Sequence, residues 1–308
     1  VNSPVQPHLD AMLDALDGLL RALEPEQLAE DRSQVPPDTV STSGRVYGGQ
    51  LLAQALIAAG RSVPGKAPHS LHAAFVRAGT PGRPLELVTD RVRDGRSMAT
   101  RQVTVTEDGK PLLVAIAAFH GGTPEPGATV PASTAPAPAA PPPDELPGLQ
   151  QWAAELPVDL RRYGRHWIER PPPIEFRLAE APSFLGGPRA GMAASAARSH
   201  WMRLPRAVGD DPLLHLALLT YASDFLLMDM IFRQHPGAAG PGRSNGLSLD
   251  HAIWFHRPTR FDQWHLHTQE AVTIVGNRGL VRGAIHDADG QLVATVMQEV
   301  LVIPEATR

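Results

Sequence analysis

The 308-residue chain has no cysteine. That excludes disulfides, thiolate zinc sites, iron–sulfur clusters and a cysteine nucleophile. Lysine is nearly absent too: Lys66 and Lys110 are the only two, and arginine carries the rest of the positive charge. There is no basic surplus, because 28 Lys and Arg face 32 Asp and Glu for a formal net charge of −4. A nucleic-acid or anionic-membrane partner needs such a surplus, so neither is expected. No P-loop or G-x-G-x-x-G fingerprint occurs, and the one G-x-S-x-G string, residues 242–246, lies in a glycine-rich loop ahead of a strand-like run and not at a strand-to-helix elbow, which leaves serine-hydrolase and dinucleotide chemistry unsupported. An uninterrupted apolar run of about 18 residues, the signature of a membrane-spanning helix, is also missing. The start, VNSPVQPHLDAMLD, has no charged segment followed by an apolar one, and the end, EATR, is not an organelle address. A cytoplasmic protein without stable membrane insertion is the resulting expectation.

With 43% hydrophobic residues the chain can build a core. One segment stands apart: residues 123–147, TPEPGATVPASTAPAPAAPPPDELP, are rich in Pro and Ala and nearly free of large apolar side chains. Such a stretch reads as an extended linker. It divides an N-terminal part (1–122) from a C-terminal part (148–308). Apolar residues at helical spacing predict a helix over 8–23, a second beginning near Gly49, and a third, apolar on most sides, over 213–233. Strand-like runs follow the second helix at 69–78, 84–93, 97–107 and 111–119, and the third at 247–257, 265–275, 279–287 and 291–303. Asp-Gly hairpin signals sit between the last two runs of each set, at 108–109 and 289–290.

The two halves therefore repeat. Phe75 matches Phe255 and Arg77 matches Arg257, each 180 residues apart; Arg101 matches Arg282 and Gly109 matches Gly290, each 181 apart. Gln50 falls opposite Asp224, 174 apart, the difference taken up by the glycine-rich loop PGAAGPGRSNG. A long apolar helix followed by antiparallel strands packs best with the sheet curled around it. The expected fold is α+β, a double hot-dog made of two such units.

At this point the chain resembles the acyl-CoA thioesterase II (TesB-like) family of double hot-dog thioesterases. The resemblance is carried by VYGGQLLAQAL (46–56), HSLHAAFVRAGTPGRPLEL (69–87), RDGRSMATRQV (93–103), DGKPLLVAIAAF (108–119), YASDFLLM (221–228), LSLDHAIWFHRP (247–258), GLVRG (279–283) and DGQLVATVMQE (289–299). It implies hydrolysis of acyl-CoA to fatty acid and coenzyme A by a water held between an Asp, a Ser or Thr hydroxyl and a Gln. Matched motif by motif, these are Asp224, Ser248 and Gln298; Ser stands where the family often has Thr. The resemblance implies no cofactor and no metal, acyl-CoA as the substrate, and a homo-oligomer, dimer or tetramer.

Each candidate also has a plainer structural explanation. Asp224, in an apolar helix, must be hydrogen-bonded, shifted in pKa or open to a cavity. Ser248 serves equally as a turn cap, and Gln298 as a solvent-facing strand residue. Gly48 and Gly49 either aim amides at an oxyanion or allow close packing. Gln50 is a degenerate partner of Asp224 or a substrate contact, and His72 either reaches the site or is structural. Asp229 is expected at a surface or interface. His265 and His267 share a strand face, but two His are a weak metal signal. Arg77, Arg96, Arg257 and Arg278 are candidates for the CoA phosphates or for ordinary ion pairs. The rival functions are a non-catalytic acyl-CoA binder and a hot-dog enoyl-CoA hydratase, which usually has an Asp and a His close together on the helix side.

Overall fold

The structure is a computed structural model, described over residues 5–36, 44–121, 136–188, 197–235 and 246–303. Its helices are α1 (Val5–Ala22), α2 (Gly48–Arg61), α3 (Leu149–Ala154), α4 (Arg161–Glu169), α5 (Pro212–Ser223) and α6 (Leu227–Phe232). Its strands are β1 (Glu26–Ala29), β2 (Arg32–Val35), β3 (Ala67–Phe75), β4 (Leu85–Asp94), β5 (Met98–Glu107), β6 (Lys110–His120), β7 (Glu175–Leu178), β8 (Ala197–Arg203), β9 (Gly246–Ser248), β10 (Asp250–Phe255), β11 (His265–Val275), β12 (Arg278–Asp287) and β13 (Leu292–Val302). They form one antiparallel sheet in the order β1-β2-β4-β5-β6-β3-β10-β13-β12-β11-β8-β7, with β9 paired to β13.

That order reads the same outward from its centre in both directions, and the centre is the β3–β10 pair. There His72 lies opposite Ala252, which is 180 residues away, the offset already set by Phe75 and Phe255. The sequence repeat is thus a pseudo-twofold axis running through one strand pair. Each half sheet carries its own helix: α2 packs on β3–β6, and α6 on β11–β13. This is the double hot-dog expected from the sequence.

The inner faces follow the pleat. On β5, Arg101, Val103 and Val105 turn inward; on β12, Val281, Gly283 and Ile285 do. The match of Arg101 to Arg282 is therefore corrected. Arg101 is buried while Arg282 is exposed, and Arg101 faces Ala117 as Val281 faces Gln298. The offset stays at 180 through β12, and the extra residue lies in the β12–β13 turn. A one-residue slip within a strand would have turned every side chain to the other face.

Of the Pro-rich segment, 123–135 lies outside the described residues. The remainder docks on the C-terminal half: Trp201 Nε1 donates to the Pro141 carbonyl (2.8 Å) and the Leu178 amide to the Pro147 carbonyl (2.9 Å). Strands β1, β2, β7 and β8 and helices α3 and α4 were not anticipated. The four strands are only four to seven residues long, too short for alternation to stand out.

Candidate active site

The apolar segment 213–233 is not one helix. Asp211 accepts the Leu213 amide (2.9 Å) and Pro212 opens α5, a regular start. The helix then stops at Ser223, Leu226 takes a left-handed φ of 66°, and α6 restarts at Leu227. A non-glycine residue there costs about 1–3 kcal/mol unless its surroundings hold it. Two side chains from the sheet do so by capping the carbonyls the break leaves open. Gln269 Nε2 donates to the Phe225 carbonyl (2.8 Å), and Arg198 to the Leu226 carbonyl (3.3 Å). Arg198 is itself fixed by a buried ion pair with Asp229 (2.5 Å), which also accepts from the backbone amide of Ser183 (3.0 Å) and from its hydroxyl. Asp229 is therefore a core residue, 2% exposed, and not the surface residue expected. Its charge is bearable because three donors surround it: the Arg198 guanidinium and the amide and hydroxyl of Ser183.

The break delivers Asp224 to the junction of the two halves. Helix α2 begins at Gly48 with no capping side chain of its own, leaving orphan amides. Asp224 caps it from the other repeat, the Gly49 amide donating to Oδ2 at 2.9 Å. Both glycines are required by this approach. A Cβ at Gly48 would stand 2.9 Å from Asp224 Oδ2 and 3.0 Å from the Phe75 ring, and one at Gly49 would overlap the Tyr221 carbonyl. The Gly49 amide is thus spent on the carboxylate.

Gln298 points inward from the middle of β13 and is fully buried. Its Nε2 donates to Ser248 Oγ (2.9 Å), and its side chain acts on Asp224 by lowering that residue's pKa. Ser248 ends β9, whose pairing with β13 sets Ser248 beside Val300. The three residues singled out as a catalytic set are hence brought together from a helix end, a strand end and a strand centre, with Gln298 hydrogen-bonded to Ser248 and acting electrostatically on Asp224. Burial raises the Asp224 pKa above the ordinary carboxylate value. The neighbouring His251, Gln298, the Gly49 amide and Tyr47 oppose the rise in part. Such a carboxyl is poised to take up and give back a proton.

Two further groups belong to the site. Tyr47, next to the glycines, donates to the Tyr221 carbonyl (3.3 Å), has its pKa raised by burial and by the nearby Asp224, and packs against Tyr221 and Phe225 at 5.0 and 4.8 Å between ring centres. His251 is buried, with Nδ1 2.6 Å from Gln298 Oε1 and Nε2 3.0 Å from Ser223 Oγ. Its signal was the alternation His251, Ile253, Phe255, which puts a His on an otherwise apolar inward face.

The remaining candidates lie elsewhere. Gln50 is buried next to Gly49, and its amide nitrogen has no partner among the described residues. His72 does not reach the site: it faces the outer side of the sheet, edge-on to Trp254 at 5.0 Å, because it alternates with the inward Leu71 and Ala73. His265 is held by Thr259 (2.6 Å) and the Gln263 carbonyl (2.8 Å). His267 sits beside Gln269 and His200, and burial drives its pKa down to about 3. Arg278 pairs with Glu299 and Arg77 bonds the Pro111 carbonyl. The N-terminal half has no second copy of the site, since Gln50, Leu71 and Ala117 stand where the C-terminal half has Asp224, His251 and Gln298.

Fold and site together are those of a hot-dog thioesterase, and the comparisons agree. The model of the acyl-CoA thioesterase N-terminal domain matches residues 36–120, and that of the C-terminal domain residues 134–302. Acyl-coenzyme A thioesterase 8 of Mus musculus is 31% identical over 307 residues, covering 95% of this chain and 92% of its own. Acyl-CoA thioesterase 2 of Haemophilus influenzae is 32% identical over 260 residues, 84% and 87% of the two chains. The crystal structure of an acyl-CoA thioesterase II, TesB2, from Mycobacterium marinum superposes with a TM-score of 0.74 at 30% identity, covering 94% of this chain and all of that one. The chain belongs to the acyl-CoA thioesterase II (TesB-like) family, and its activity is acyl-CoA thioester hydrolysis.

Proposed function

We propose that the chain releases a fatty acid and coenzyme A by direct attack of a water held by Asp224, Ser248 and Gln298. The observation that supports this is the Gln298–Ser248 hydrogen bond at 2.9 Å, with Gln298 acting electrostatically on the buried Asp224 carboxyl at the junction of the halves. Asp224 takes a proton from the water as its oxygen adds to the thioester carbon. The C–S bond then breaks, and the proton passes to the departing thiolate. A thiolate leaves readily, so no covalent intermediate is needed. Gln298 and Ser248 hold the water in line, and the wall of Tyr47, Tyr221 and Phe225 beside Asp224 gives the acyl chain an apolar surface.

The hydratase reading gains one point from the structure, a buried His251 close to Asp224. Both its ring nitrogens are occupied by Gln298 and Ser223, however, and neither is free to serve a substrate. The test is thiol release from acyl-CoAs of increasing chain length, followed with a thiol-reactive chromophore to which this cysteine-free chain adds no background. Release proportional to enzyme, with a preferred length, supports the proposal. Tight binding without release would make the protein a binder, and loss of enoyl-CoA absorbance would make it a hydratase.

A further inference from the structure

We propose that His251 is a positioning residue whose Nδ1–H fixes which end of the Gln298 amide faces Asp224 and Ser248. The proposal rests on the catalytic reading above and adds a residue to it. An amide side chain has two orientations of nearly equal shape and opposite hydrogen-bonding character. Reversed, Gln298 would turn its oxygen toward the Asp224 carboxylate, two acceptors facing each other in a buried site.

The contacts settle the orientation in sequence. The Gln298 nitrogen reaches Ser248 Oγ at 2.9 Å, and a carboxylate, which only accepts, favours that same end of the amide toward Asp224. The amide oxygen is then left toward His251 Nδ1 at 2.6 Å, and that nitrogen must carry the proton. In a neutral ring Nε2 becomes the acceptor. Ser223 Oγ donates to the Thr220 carbonyl at 2.8 Å and lies 3.0 Å from Nε2, so its single proton is shared between the carbonyl and the ring. Ser223 directly precedes Asp224, so the chain of contacts closes on the residue it serves.

The pseudo-twofold axis supplies an internal control. The position equivalent to His251 in the N-terminal half is Leu71, fully buried, beside Ala117 in place of Gln298. The fold accepts an apolar residue there, and the half without the catalytic Gln does without the His.

The test uses the full-length enzyme and three substitutions. Asn places its amide nitrogen near the position of Nδ1 and keeps the donor to Gln298. Gln reaches the position of Nε2 and keeps only the Ser223 contact. Leu keeps neither and copies the residue of the other half. His251→Gln and His251→Leu are expected to lower kcat about 10- to 100-fold with little change in KM, the cost of one lost orienting hydrogen bond in the transition state. His251→Asn should stay within about fivefold of wild type. On a Gln298→Ala background, His251→Gln should add no further loss, because its route to the reaction is already gone. Wild-type turnover in folded His251→Gln or His251→Leu, an Asn variant as slow as Leu, or additive losses in the double variant would each overturn the proposal. Full activity in Gln298→Ala alone would instead overturn the catalytic reading beneath it.

Discussion

Replacing Asp224 by Asn separates the catalytic role proposed for this carboxylate from the capping role the structure gives it. Chemically, an amide cannot take a proton from water, and loss of a general base lowers turnover about 10²- to 10⁴-fold. Structurally, the Asn oxygen still accepts the Gly49 amide bond seen at 2.9 Å, so the cap on α2 survives. The electrostatic effect has a definite sign. Burial raises the Asp224 pKa above that of an unfolded Asp, so the folded chain binds this proton more tightly. Below the unfolded pKa, near 4, both states are protonated and nothing is lost. As pH rises through the folded pKa the chain must hold a desolvated charge, at about 1.4 kcal/mol per unit of rise. The Asn variant never bears that cost. Its stability relative to wild type should therefore be more favourable at pH 8 than at pH 4, in denaturant titrations at the two pH values. Thiol release at saturating acyl-CoA gives the rate. A folded Asp224→Asn enzyme with undiminished turnover would refute the catalytic role. A variant that loses ground to wild type as pH rises would refute the argument that burial governs the charge.

The same pKa direction predicts that the acid limb of the rate profile lies above the ordinary carboxylate range, with activity falling as pH drops through the raised Asp224 value; a limb at or below pH 4, the usual range, would contradict it. Gly49→Ala drives a methyl into the Tyr221 carbonyl and should cost about 1–3 kcal/mol of stability and slow turnover. Gly18→Ala, whose methyl meets nothing nearer than Arg21 at 3.8 Å, should gain up to about 1 kcal/mol, so paired thermal melts read the contrast. Arg198→Met leaves Asp229 charged and buried without its counter-ion and should destabilise by about 3–5 kcal/mol, while adding Asp229→Leu should recover much of the loss in the same denaturant assay.

Much of this site was legible because its members sit in short motifs with fixed roles. Asp224, Ser248 and Gln298 came from resemblance, and their meeting needed only a helix end and two strands of one repeat. The elements of the repeat were readable because strands of nine to eleven residues and an apolar helix impose clear periods. His251 escaped because one inward His in a strand has the same local pattern whether or not it touches anything. Asp229 was misplaced for the converse reason: its partner Arg198 lies 31 residues away on β8, and no local pattern announces an ion pair between distant segments. Arg101 and Arg282 were matched because both have the look of strand arginines, while their faces depend on where one extra residue enters a turn.

The sequence by itself determined the two-unit architecture, since hydrophobic periodicity is a local property repeated 180 residues on and each unit needs the same burial. Its motifs also supplied, by resemblance, the three residues proposed as the catalytic set. Only the tertiary structure decided where the apolar segment 213–233 breaks, because the left-handed Leu226 is held by Gln269 and Arg198 from the sheet. Only the tertiary structure decided that Asp224 caps a helix of the other half, because the orphan amides at the start of α2 donate to whichever carboxylate the fold brings to them. The charge state of that carboxylate follows from the same meeting: desolvation and its donors come from both repeats, and neither half alone contains the balance.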